Sequence, residues 1–108
     1  MKPLLETGAE SMTLRVEGDL VSTNAPVIRG QIDRLFEPAN GLPPAWKIFK
    51  LDLSTAKMID SVGLNLVVSL LKRVQRHGGR MQVAFSDSNV LRILNFTRLD
   101  KQVELIKV

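Results

Sequence analysis

Few side chains in this chain have the chemistry to act on another molecule. There is no cysteine and one histidine, His77. That excludes thiolate nucleophiles, disulfides and Cys-based zinc sites, and any Ser-His-Asp arrangement would have to use that single imidazole. No glycine-rich run ends in Lys-Ser or Lys-Thr, so there is no P-loop. The informative stretch is Lys57-Met58-Ile59-Asp60-Ser61-Val62-Gly63-Leu64-Asn65. Its Ser61 opens a helical pattern, where a hydroxyl has two uses. It can cap free backbone N–H groups, worth about 1 kcal/mol. It can also accept a phosphoryl group, because a helix N-terminus favours an anion. Such a modification would add about −1.5 to −2 of charge beside Asp60.

A helical wheel from Ser61, at about 100° per residue, separates two faces. Leu64, Leu66, Val67, Leu70, Leu71 and Val74 fill one arc, the core face. Asn65, Ser69, Lys72 and Arg76 follow Ser61 on the other, with Val68 beside them as one small apolar side chain. A stripe of this kind is either plain solvated surface or a docking face headed by the Ser61 hydroxyl. His77 falls near 160° and about four turns from Ser61, too far to act as its base. It reads as a capping or surface residue at the helix end.

The elements that must hold this stretch follow from local pattern. Met12–Glu17 alternates as a strand does, and Gly18-Asp19 reads as a turn. Ser22-Thr23-Asn24 before Pro26 predicts a capped helix start, with Ile28, Ile32, Leu35 and Phe36 at helical spacing. Glu37–Pro44 holds three of the five prolines and predicts an internal loop. Trp46–Leu53 predicts a central strand, and the helix from Asp60-Ser61 ends at His77 before Gly78-Gly79. Met81–Phe85 is a strand, Ser86-Asp87-Ser88 starts a helix to Phe96, and Val103–Val108 closes as a strand. Leu4–Thr7 adds an N-terminal strand. Alternation of this kind predicts an α/β domain over 1–108, with helices packed on a mostly parallel central β-sheet of about four to five strands and about three to four helices.

Composition narrows the function classes. One hundred and eight residues, 44% apolar and 24% charged, fit one globular domain rather than a two-domain enzyme. No apolar run nears the roughly 20 residues of a membrane helix, and Glu6 interrupts any signal peptide. A cytoplasmic domain without a membrane or nucleic-acid partner is the expectation. The net charge of +4 invites nucleic acid, but the cations are dispersed and not interleaved with aromatics. Lys72-Arg73-Val74-Gln75-Arg76 is then either a solvated helix end whose cations suit the dipole or a patch for a nucleic-acid phosphate backbone.

Asp60-Ser61-Val62-Gly63-Leu64, between an apolar strand and a helix ending in Gly78-Gly79, resembles the STAS family, and within it the single-domain anti-sigma-factor antagonists. Val16-Glu17-Gly18-Asp19-Leu20, Leu51-Asp52-Leu53-Ser54 and Val90–Leu99 resemble further family segments in the same order, covering nearly the whole chain. The resemblance implies a STAS-like single domain without catalytic residues or bound cofactor or metal, working as a partner switch. Its unphosphorylated form would bind an anti-sigma factor that is also a serine kinase. Phosphorylation on Ser61 would release that partner, and a PPM-type serine phosphatase would reset the cycle. Carried over, Asp60, Val62, Gly63 and Asn65 belong to the contacted loop and helix start, and the turn from Asp19 through Ser22, Thr23 and Asn24 to the neighbouring edge. The wheel adds Val68, Ser69 and Lys72. A STAS scaffold without a phosphorylation cycle is the alternative. Three positions depart from the family pattern: Val62 replaces a small polar residue, Asn65 a frequent Gly, and Arg98 a Gly.

Overall fold

The computed structural model describes residues 4–7, 11–36 and 46–108. The loop expected at Glu37–Pro44 lies outside them. Alternating and apolar runs become strands β1 (Leu4–Thr7), β2 (Ser11–Arg15), β3 (Ile48–Leu53), β4 (Arg80–Phe85) and β5 (Glu104–Lys107). Between them stand helices α1 (Ala25–Leu35), α2 (Ser61–His77) and α3 (Ser88–Phe96), and a 3₁₀ turn at Leu99–Lys101. The sheet runs in chain order, β1-β2-β3-β4-β5. β1 is antiparallel to β2, and β2 through β5 are parallel. The predicted class holds, with β3 in the centre.

Parallel crossovers are right-handed as a rule, so a sheet that grows steadily in one direction receives all its helices on one face. Burial follows that rule. Register puts Met12, Phe49 and Met81 in one row and Leu14, Leu51, Val83 and Leu105 in the next. Leu14, Phe49, Leu51, Leu53, Met81, Val83 and Phe85 are all buried in the core, with Ile28 and Ile32 of α1, Val67, Leu70 and Val74 of α2, and Val90 and Leu94 of α3. The other face of the sheet carries the polar row Thr13, Lys50, Gln82 and Glu104, and Gln82 Nε2 donates to Glu104 Oε2 at 3.1 Å.

α2 stops where the sequence stops it. Gly78 adopts φ 86°, which a side chain would disfavour, and the Gly79 N–H donates to the Val74 carbonyl while that of Gly78 donates to Gln75. At that end His77 departs from the capping or surface role expected of it. It is half-buried, its ring lies 4.3 Å from Trp46 between centroids, and its Nε2 sits 3.1 Å from the Trp46 carbonyl oxygen. The aromatic neighbours Phe36 and Trp46 give it a packing role that no local pattern encodes.

Candidate functional site

In a parallel sheet the loops leaving the C-terminal strand ends share one edge of the molecule. Here the segment 16–24 after β2 and the segment 54–60 after β3 meet there, and polar side chains join them. The carboxylate of Asp19 accepts the N–H groups of Lys57 at 2.8 Å and Met58 at 3.2 Å. Leu20 and Ile59 form a parallel bridge, with the Leu20 N–H donating to the Met58 carbonyl and the Asp60 N–H to that of Leu20. The Thr55 hydroxyl accepts from the Gly18 N–H at 2.9 Å and donates to the Val16 carbonyl. Below them Asp52 is buried at the end of β3, accepting from the Ser54 N–H and paired with Arg15 Nε at 3.2 Å. Burial pushes the Asp52 pKa up, but the Ser54 hydrogen bonds and the Arg15 charge outweigh it and leave the carboxyl below its ordinary value.

The helix cap differs from the expected one. Asp60, in extended conformation at φ −88° and ψ −178°, is the N-cap, and Ser61 is the first helical residue. One Asp60 oxygen accepts from the Gly63 N–H at 2.8 Å, and the other from the Ser22 N–H at 2.8 Å. Asp caps as well as Ser does, and only Asp has a second oxygen to reach the neighbouring turn. Those N–H groups, Gly63 first and then Ser22, hold the Asp60 carboxyl below its ordinary value. The Ser61 hydroxyl is therefore spared from capping and the residue is exposed.

Asn24 departs in the same way. It occupies the N-cap position of α1 without a side-chain cap. Its amide ties the turn instead, accepting from the Val21 N–H at 2.9 Å and donating to the Asp19 carbonyl. Ser22 and Thr23 are exposed beside it.

The structure thus brings together Asp19, Ser22, Thr23, Asn24, Asp60, Ser61 and Val62. Gly63 is buried, and a Cβ there would lie 2.2 Å from the Leu20 carbonyl oxygen. Its part is to let the helix start close onto Leu20, not to present a contact. Along α2, Asn65 and Lys72 are exposed. Val68 is half-buried against the core, contrary to its place in a free stripe. Ser69 is half-buried too, with Arg29 of α1 donating to its hydroxyl at 3.4 Å. α1 also pairs Asp33 with Arg73, so this neighbouring helix covers the flank that the wheel leaves open. Sequence reasoning missed Met58, 55% exposed, which with Val62 at 41% gives the loop before Ser61 and the start of α2 exposed apolar side chains. Its only sequence signal was a methionine in a polar loop, a residue common on adaptable binding surfaces.

Among the described residues no cluster of His, Cys, Asp or Glu could hold a metal ion. No described helix is long and apolar enough to cross a membrane. The exposed Ser61 thus stands at the loop edge of a one-sided, mostly parallel sheet. The model of the STAS domain matches residues 2–108, and the chain belongs to that family.

Over 59 residues the chain is 37% identical to a Thermotoga maritima protein assigned as an anti-sigma factor antagonist; the alignment covers 55% of this chain and 51% of that relative. The chain therefore spans about half the length of the curated relative it matches. A crystal structure from Thermotoga maritima, assigned the same role, superposes with a TM-score of 0.82 at 24% identity, covering 98% of this chain and 86% of that one. The anti-sigma factor antagonist SpoIIAA in its unphosphorylated form gives 0.72 at 18% identity, over 98% and 88% of the two chains. The phosphorylated form of the Bacillus protein gives 0.72 at 19%, over 98% and 90%. At these identities the structural likeness establishes the shared fold.

Proposed function

We propose that this chain is an anti-sigma factor antagonist that works as a phosphorylation-controlled partner switch in the cytoplasm. Unphosphorylated, it sequesters an anti-sigma factor with serine kinase activity, and so regulates transcription through a protein partner rather than by touching nucleic acid. The kinase transfers the γ-phosphoryl group of ATP to Ser61. A bond forms between the Ser61 Oγ and phosphorus, the bond to the ADP leaving group breaks, and the hydroxyl proton passes to the kinase. A PPM-type phosphatase returns serine and inorganic phosphate by hydrolysis. This chain supplies the acceptor and the docking face, and no catalytic group.

The observation that carries this reading is the exposed Ser61 at the first position of α2, its hydroxyl without a partner among the described residues, with Met58 and Val62 exposed near it in the chain while Asp60 does the capping. Asp60 also explains how a phosphate would act. Its carboxylate already occupies the Gly63 and Ser22 N–H groups. A new charge of about −1.5 to −2 is thus repelled by Asp60 and turned toward the partner. Names borne by the relatives support the same role.

The test is phosphorylation by the kinase that co-purifies with the protein, followed by mass spectrometry. One phosphate is expected, on Ser61, and Ser61→Ala abolishes it while retaining partner affinity. Phosphate on Ser54 or Ser69, or tight binding with no transfer, would overturn the switch in favour of a passive STAS scaffold. Thr55 is a poor acceptor because its hydroxyl is engaged on both sides.

A further inference from the structure

Two surface depressions meet at Gln75, on the C-terminal half of α2. One, of about 410 Å³, is lined by Lys72, Gln75 and Arg76. The other, of about 430 Å³, continues from Gln75 past Arg80 to Lys101 and Gln102. All four cations of this groove are exposed. The ion pairs found among the described residues use Arg15 with Asp52 and Arg73 with Asp33, not these four. Glu104 is the one carboxylate in the lining, and it accepts from Gln82. Buried Leu71, Met81 and Val103 lie beneath the second depression.

Cations near a helix C-terminus have an ordinary explanation, the favourable end of the macrodipole. That end is worth about half a charge and acts over the last turn. It accounts for Arg76. It does not account for Arg80 on β4 or Lys101 on the 3₁₀ turn, which other elements bring to the same groove.

We propose that this groove docks an acidic segment of a protein partner, by a contact centred on Gln75 and apart from the Asp60-Ser61-Val62 edge, which takes Lys72 out of the Ser61 stripe and into the groove. Charge complementarity fixes the sign of the occupant, and the apolar lining together with the Gln75 and Gln102 amides fixes its kind. A nucleic-acid strand would use the cations but needs stacking surfaces, and no aromatic side chain lines either depression. A peptide that interleaves carboxylates with aliphatic side chains uses all three features. The inference goes beyond the partner-switch reading and does not rest on it. Gln75 follows Ser61 by fourteen residues, about 21 Å along the helix. That exceeds two Debye lengths at physiological salt, about 8 Å each, so charge at Ser61 is screened from the groove.

The test uses a fluorescein-labelled peptide of three Glu-Leu-Glu-Asp repeats, its serine analogue with each Leu replaced, and a 12-nucleotide oligo-dT, titrated into the full chain and read by fluorescence anisotropy. The leucine peptide should bind saturably at low salt and lose at least tenfold in affinity with Lys72→Glu and with Arg80→Glu/Lys101→Glu. It should change less than twofold with Lys57→Glu, exposed in the loop after β3 at the other edge of the sheet, and with Ser61→Asp. Lys101→Gln should lose part of the affinity, and circular dichroism should report each variant folded. The proposal is overturned if the leucine peptide does not saturate, if the serine analogue or oligo-dT binds as well, or if Lys57→Glu weakens binding as much as the groove variants do.

Discussion

Asp60 joins two parts of the site through one carboxylate, capping α2 through Gly63 and holding the 21–24 turn through Ser22. This has a consequence with pH. Because the folded state holds the Asp60 pKa below the unfolded value, the stabilisation is fully present above that value and is lost as pH falls through the folded one. Asp52 acts in the same direction, since its hydrogen bonds and Arg15 outweigh its burial. Asp60→Asn keeps a capping oxygen but turns an N–H donor toward another N–H. The variant should melt a few degrees below wild type at pH 7, and the gap should close as pH falls below about 4, the ordinary range of aspartate. Thermal melts of both proteins from pH 7 to pH 3 check this; a gap independent of pH would show that the carboxylate charge is not what holds the turn.

α2 is the element on which the core and the proposed docking face share one helix surface. Val67 is fully buried, Val68 half-buried on the core margin, and Asn65 exposed. Three substitutions should separate these environments. Val67→Asp puts an unpaired carboxylate in the core, which several kcal/mol oppose, and should abolish the folded circular dichroism signal. Val68→Asp should fold but lose about 1–3 kcal/mol in urea, the usual cost of burying a polar group part-way. Asn65→Trp should keep the wild-type midpoint and lose kinase docking. A wild-type midpoint for Val68→Asp would return Val68 to the free docking face.

Across the whole molecule, charge is segregated. Helices α1, α2 and α3 hold six cations and one carboxylate, whereas the rest of the chain holds nine cations and ten carboxylates. Glu17, Asp19, Asp60 and Asp87 all belong to segments leaving the C-terminal ends of parallel strands, the edge where Ser61 sits. A phosphate there adds negative charge to a surface already rich in it. The rigid ties beneath leave the domain little reason to rearrange. Phosphorylation should therefore weaken kinase binding about a hundredfold, equivalent to about 2.8 kcal/mol, with amide chemical shifts moving only near residues 20–24 and 58–65. Ser61→Asp, with one charge, should reproduce the loss only in part. Equal affinity of the three forms by calorimetry would defeat the switch.

The chain's local patterns determined the order of its elements, the capping glycine at Gly78 and the arrival of Ser61 at a helix start after a central strand. Each of these depends on residues within a few positions of one another, where period and turn chemistry act directly. The tertiary structure alone decided what the second Asp60 oxygen meets, the Ser22 N–H thirty-eight residues away, while the Gly63 cap itself is local. It likewise decided that Asn24 ties a turn, that α1 covers Ser69, that Val68 leans into the core, and that Arg80 and Lys101 line one depression with Gln75. A helical wheel carries no neighbouring helix, and a linear charge pattern carries no sheet. Long-range packing sets which polar atoms meet, and at this site it brings the Ser22 N–H to the carboxylate beside Ser61.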